Sequence, residues 1–112
     1  MEITIGDELS LSFKHSIHGS AVEEIFTLRE EGFELTQLRY GEARLVDFYG
    51  YEQADFQNGV WVVKPSPVLL PSLNLSVSDS SGMNFILRSS AGLRGFQLAP
   101  GRALRLSVAI CN

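Results

Sequence analysis

The chain has 112 residues, 45% of them hydrophobic and 20% charged, enough for one folded domain with its own core. Nine Lys and Arg against thirteen Asp and Glu leave a net charge of -4, which disfavours nonspecific binding to nucleic acid or to an anionic membrane. Cys111 stands alone and cannot form an internal disulfide, and no apolar run has the length of a membrane span or the form of a signal peptide.

From the N-terminus onward, apolar residues recur with a period of two. Leu9, Leu11, Phe13, His15 and Ile17 fall on one face of a first strand, with Ser10, Ser12, Lys14, Ser16 and His18 on the other. Gly19-Ser20 marks a turn, after which Val22, Glu24, Phe26 and Leu28 repeat the pattern. Glu31-Gly32 marks the next turn, and a third strand runs from Phe33 to Tyr40. The stretch from Ala43 to Ala54 has no clear period, and its Phe48, Tyr49 and Tyr51 suit a strand or a packed loop.

Asn58-Gly59 then introduces Val60-Trp61-Val62-Val63. Leu73, Leu75 and Val77 match Leu87, Phe85 and Met83 as a hairpin closed by Ser78 to Gly82. Leu104, Leu106, Val108 and Ile110 give the cleanest apolar face, which predicts a central or well-covered last strand. No stretch carries a helical period beyond a single turn. Residues 1–112 therefore read as a single β domain, all-β, an antiparallel β-sandwich or partly open barrel of about seven to nine strands.

A two-residue turn at Gly19-Ser20 sets Phe13 opposite Phe26, Leu11 opposite Leu28 and His15 opposite Glu24. A turn at Glu31-Gly32 sets Leu28 opposite Leu35 and Glu24 opposite Arg39. His15, Glu24 and Arg39 then form one polar row on an apolar face. Two readings of that row stay open: a satisfied network that fixes register, or the floor of a site for an anion or small ligand.

Other chemistry fits less well. Ser16 beside His15 looks like a nucleophile and its base, but strand neighbours point to opposite faces and no nucleophile elbow is present, so a hydrolase ranks third. His15, His18, Glu23 and Glu24 lack the spacing of a metal site. Phosphate-binding loops and dinucleotide fingerprints are missing from the sequence, so no metal or cofactor is expected.

The run from Leu11 through His15-Ser16 to Glu23-Glu24-Ile25-Phe26 resembles the opening motif of the domain-of-unknown-function family 1850. Gly32-Phe-Glu-Leu35 with Arg39-Tyr40, Gly59-Val-Trp61 and Leu98-Ala-Pro-Gly-Arg102 resemble its later segments. Arg44-Leu45-Val46 stands where the family has a glycine-rich segment. By that resemblance the motif positions are His15, Ser16, Glu24 and Arg39. Members of the family are uncharacterised, and many are encoded beside TRAP transporters of the TAXI kind. Without a complete catalytic constellation the favoured reading is a non-enzymatic β-sandwich module, and the resemblance implies an accessory of a substrate-uptake system, with a transporter component as partner and an extracytoplasmic or membrane-associated location. The alternative is a small-ligand or anion-binding domain using the His-Glu-Arg row.

Overall fold

The structure, a computed structural model, describes residues 5–14, 20–66, 68–76, 83–89, 92–99 and 102–107. Among them the chain forms ten strands in two antiparallel sheets and one short helix, an all-β, sandwich-like arrangement without a closed barrel. In chain order the elements are β1 (Glu8–Lys14), β2 (Ala21–Arg29), β3 (Gly32–Tyr40), α1 (Ala43–Phe48), β4 (Asp55–Gln57), β5 (Val60–Val63), β6 (Val68–Leu70), β7 (Ser72–Ser76), β8 (Met83–Ser89), β9 (Gly92–Leu98) and β10 (Ala103–Ser107). The large sheet runs β4-β5-β3-β2-β1-β8-β9, with β6 also paired to β3, while β7 and β10 form a separate ribbon. Among the described residues no helix is long and apolar enough to cross a membrane.

One face of the large sheet carries the core. Leu9, Leu11, Phe26, Leu28 and Phe33 are buried under the ribbon, which contributes buried Leu73 and Leu75 and half-buried Leu104 and Leu106. At the other end of the same face, Val22, Leu38, Tyr40 and Val63 lie under Leu45 and Val46 of α1. Burying each such side chain contributes roughly 1.5–3 kcal/mol. Glu24 sits on this inner face between Val22 and Phe26 of β2.

The register of β1 on β2 departs from the two-residue turn at Gly19-Ser20. Leu9 faces Phe26, Leu11 faces Glu24 and Phe13 faces Val22, four positions away from the sequence-based pairing. An even offset keeps every side chain on its expected face, so the apolar pattern is equally content with either register. Backbone bonds from Leu28 N–H to the Asp7 carbonyl and from Gly6 N–H to the Leu28 carbonyl extend the observed pairing. Glu24 is therefore opposite Leu11, not His15.

Two corrections apply to β3. The turn falls on Glu30-Glu31, with Arg29 opposite Gly32, so Leu28 faces Phe33 and Phe26 faces Leu35. The register then shifts between Ile25 and Phe26, leaving Thr36 as the extra residue of a β-bulge. The Thr36 hydroxyl donates to the Ile25 carbonyl at 3.1 Å. Beyond the bulge the faces of β3 exchange: Leu38 and Tyr40 turn inward, and Arg39 turns outward opposite Glu23 instead of Glu24.

The expected β7–β8 hairpin does not form. β8 pairs with β1 and β9, placing Phe85 opposite Leu11, while Leu73 and Leu75 face Leu106 and Leu104 of β10. Alternating leucines fit either partner, so the pattern alone could not choose. Val77, with the proposed loop 78–82, lies outside the described residues. The last strand is likewise not central: β10 pairs with β7 on one edge, and Ala103, Arg105 and Ser107 are exposed. Val108 and Ile110 lie outside the described residues.

The segment read as strand or packed loop begins with a helix of six residues, more than the single turn expected. Its end explains its shortness. Gly50, at φ 81°, takes the left-handed conformation; its N–H bonds the Asp47 carbonyl and the Tyr51 N–H bonds the Val46 carbonyl, both at 3.0 Å. This paired closure is a Schellman stop, for which glycine is the favoured residue.

Candidate functional site

The outer face of the large sheet holds a polar network across β1, β2 and β3. Ser10 is 2% exposed, and its hydroxyl donates to Glu23 Oε2 at 2.6 Å. Arg39 Nη1 reaches Glu23 Oε1 at 3.4 Å, and Arg39 Nε donates to Gln37 Oε1 at 2.7 Å. Both Glu23 oxygens are thus engaged, whereas the guanidinium, which has five N–H donors, uses only two of its nitrogens among these contacts. The Arg39 side chain is 39% exposed and that of Glu23 is 23% exposed, so this pair fixes geometry more than it adds stability.

Arg39 and Glu23 line an open groove of about 410 Å³ on that face. Ser12, Gln57 and Asn58 add polar groups, and Ala21, Val60 and Val62 add an apolar wall. The Asn58-Gly59 turn closes the β4–β5 hairpin with both residues at positive φ, 51° and 85°, as a primed two-residue turn requires. That turn sets Asn58 at the groove. Gly41 closes the rim by donating its N–H to the Ala21 carbonyl at 2.9 Å.

The site residues expected from the sequence are therefore separated. Arg39 lies in the outer groove, Glu24 lies on the opposite, inner face, and His15 and Ser16 lie outside the described residues. Glu23 takes the place expected for Glu24 as the partner of Arg39. The signal for it was the three-residue step from Leu35 to Leu38, which breaks a period of two and marks the bulge. No family model, curated protein or solved structure matches the chain. Among the described residues no group of three or more His, Cys, Asp or Glu is placed to hold a metal ion.

Glu24 has a different electrostatic setting. It faces Leu11 on β1 and Leu38 on β3, and no described side chain donates a hydrogen bond to it. Burial pushes its carboxyl above the usual carboxylate range. Burial, with the nearby tyrosines and Glu24, likewise pushes the Tyr40 phenol up, and burial with Glu24 does so for Tyr49.

A raised folded-state value means that the folded chain holds this proton more tightly than the unfolded chain does. The resulting stabilisation is present below the ordinary carboxylate value near 4.3 and is lost as pH rises through the folded value. Glu24→Gln is accordingly expected to stabilise the protein at pH 7 by roughly 1 kcal/mol, by removing a poorly solvated charge. The gain should vanish near pH 4. Urea denaturation of both chains at the two pH values checks this; a less stable variant at pH 7 would contradict it.

Proposed function

We propose that this chain is a non-enzymatic binding domain whose outer groove takes a small organic carboxylate. The observation that supports this most is Arg39: Glu23 and Gln37 hold its guanidinium in place, while its other terminal nitrogen has no described partner. A planar guanidinium matches a carboxylate in bidentate fashion, and a charge-assisted hydrogen bond of this kind contributes about 1.5–3 kcal/mol. Val60 and Val62 offer an apolar wall for a short aliphatic body, with Ser12 and Asn58 as further polar contacts. Ser10, whose hydroxyl bonds Glu23, is buried and is not placed to attack a ligand.

Hexanoate is a suitable probe, with hexanol as its uncharged counterpart. Titration calorimetry should show saturable binding of hexanoate and none of hexanol. Arg39→Gln should weaken hexanoate binding by about tenfold or more. Absence of saturable binding, or equal binding by the variant, would overturn the proposal. A role beside a TRAP-type uptake system of the TAXI kind is compatible with such a groove; that link is supported by the resemblance around His15, Ser16 and Glu24 alone.

A further inference from the structure

On the inner face of the sheet, independent of the Arg39 groove, we propose that Glu24 and a row of tyrosines form a second site, for an alkylammonium group. Glu24 and Tyr40 are diagonal neighbours across β2 and β3, since Glu24 faces Leu38 and Val22 faces Tyr40. Tyr49, one residue beyond α1, stacks on Tyr40 with ring centroids 5.3 Å apart and planes within 13°. Tyr51 meets the same ring at 6.5 Å, and Phe48 meets Tyr49 edge-on at 5.3 Å. Glu24 acts electrostatically on both Tyr40 and Tyr49, so the carboxylate and the ring row share one end of the inner face, beside the C-terminal end of α1.

The chemistry of these groups selects the ligand. A half-buried carboxylate flanked by Leu11 and Leu38, with no counter-charge among the described residues, is a place that an external cation would stabilise. Aromatic faces add attraction for cations, most of all for those with a diffuse, weakly hydrated charge. Calcium or magnesium would need several oxygen ligands, and here one carboxylate stands among rings. Tyr40 is buried behind the row, whereas Tyr49 is 42% exposed and Phe48 is 52% exposed, so a ligand would approach along these outer rings.

The test uses the full chain and three probes: choline, its uncharged isostere 3,3-dimethylbutanol, and N-acetyl-lysine methylamide. Binding is followed by saturation-transfer NMR from the protein rings and by amide shifts at Glu24, Tyr40 and Tyr49. A cationic probe is expected to bind in the millimolar range. Choline binding more tightly would point to a free small amine, and the lysine derivative binding more tightly would point to a protein side chain. Glu24→Gln should weaken the preferred probe by about tenfold and Tyr49→Ala by about threefold, while near-ultraviolet circular dichroism and a cooperative melt show that both variants are folded. Equal binding of 3,3-dimethylbutanol would reduce the site to an apolar patch and overturn the proposal, as would the absence of any shift. Because Arg39 is on the other face, hexanoate binding should be unchanged in both variants.

Discussion

Gly32→Ala is expected to destabilise the protein by more than about 3 kcal/mol, the largest effect of any such change at the described glycines. Gly32 opens β3 at φ 148°, a conformation that side-chain-bearing residues rarely adopt. A Cβ there would overlap the Leu70 carbonyl oxygen and lie 2.9 Å from both the Leu70 carbonyl carbon and the Pro71 Cα. All three are backbone atoms, so no rotamer change relieves the clash. Leu70 ends β6, and from Pro71 the chain leaves the large sheet for the ribbon. Pushing that corner away would part β6 from β3 and lift Leu73 and Leu75 from the core. Thermal denaturation should show a fall of more than about 10 °C or loss of the cooperative transition. A change within about 1 kcal/mol would mean that Gly32 and the β6–β7 corner are not in contact.

Leu45→Ala is the second large effect, expected at about 2–5 kcal/mol. Leu45 is 0% exposed and touches the cluster of Val22, Leu38, Tyr40 and Val63, so it anchors α1 to the sheet. A helix of six residues has little stability of its own; isolated helices shorter than about 12–15 residues are marginal in water. Removing the anchor should release the helix before the sheet unfolds. Amide exchange should then rise across Ala43–Phe48, and the near-ultraviolet signal of the Tyr40–Tyr49 stack should decrease. A variant as stable as the parent would contradict the packing of α1 on this face.

The sequence revealed which residues face inward far better than which strands pair. Leu9, Leu11, Phe26, Leu28 and Leu73 are buried as their alternation requires, because a half-buried sheet rewards a period of two whatever the partner. Partner choice was not legible for the same reason. Leu73 and Leu75 satisfy Leu106 and Leu104 as readily as they would have satisfied β8, and a four-residue slide of β1 on β2 costs no face. The helix was hidden in a segment too short to show a helical period, although Gly50 marked its end.

The candidate site was legible in composition but not in geometry. Arg39 and an acidic partner were expected to meet across two strands, and they do; the bulge at Thr36 exchanges Glu24 for Glu23 and moves the pair to the opposite face. One residue of phase decides whether an ion pair is a core network or the wall of an open groove. A strict period-two count cannot contain that residue.

The most direct measurement of the central claim, that Arg39 on the outer face is the ligand contact, is NMR of the Arg39 guanidinium during a hexanoate titration. Saturating hexanoate should slow guanidinium rotation and shift the Arg39 Nε–H, with accompanying amide shifts at Gly41, Asn58 and Val60 around the groove. Shifts confined to Glu24, Leu38 and Tyr49 on the inner face, with an unchanged guanidinium, would contradict it.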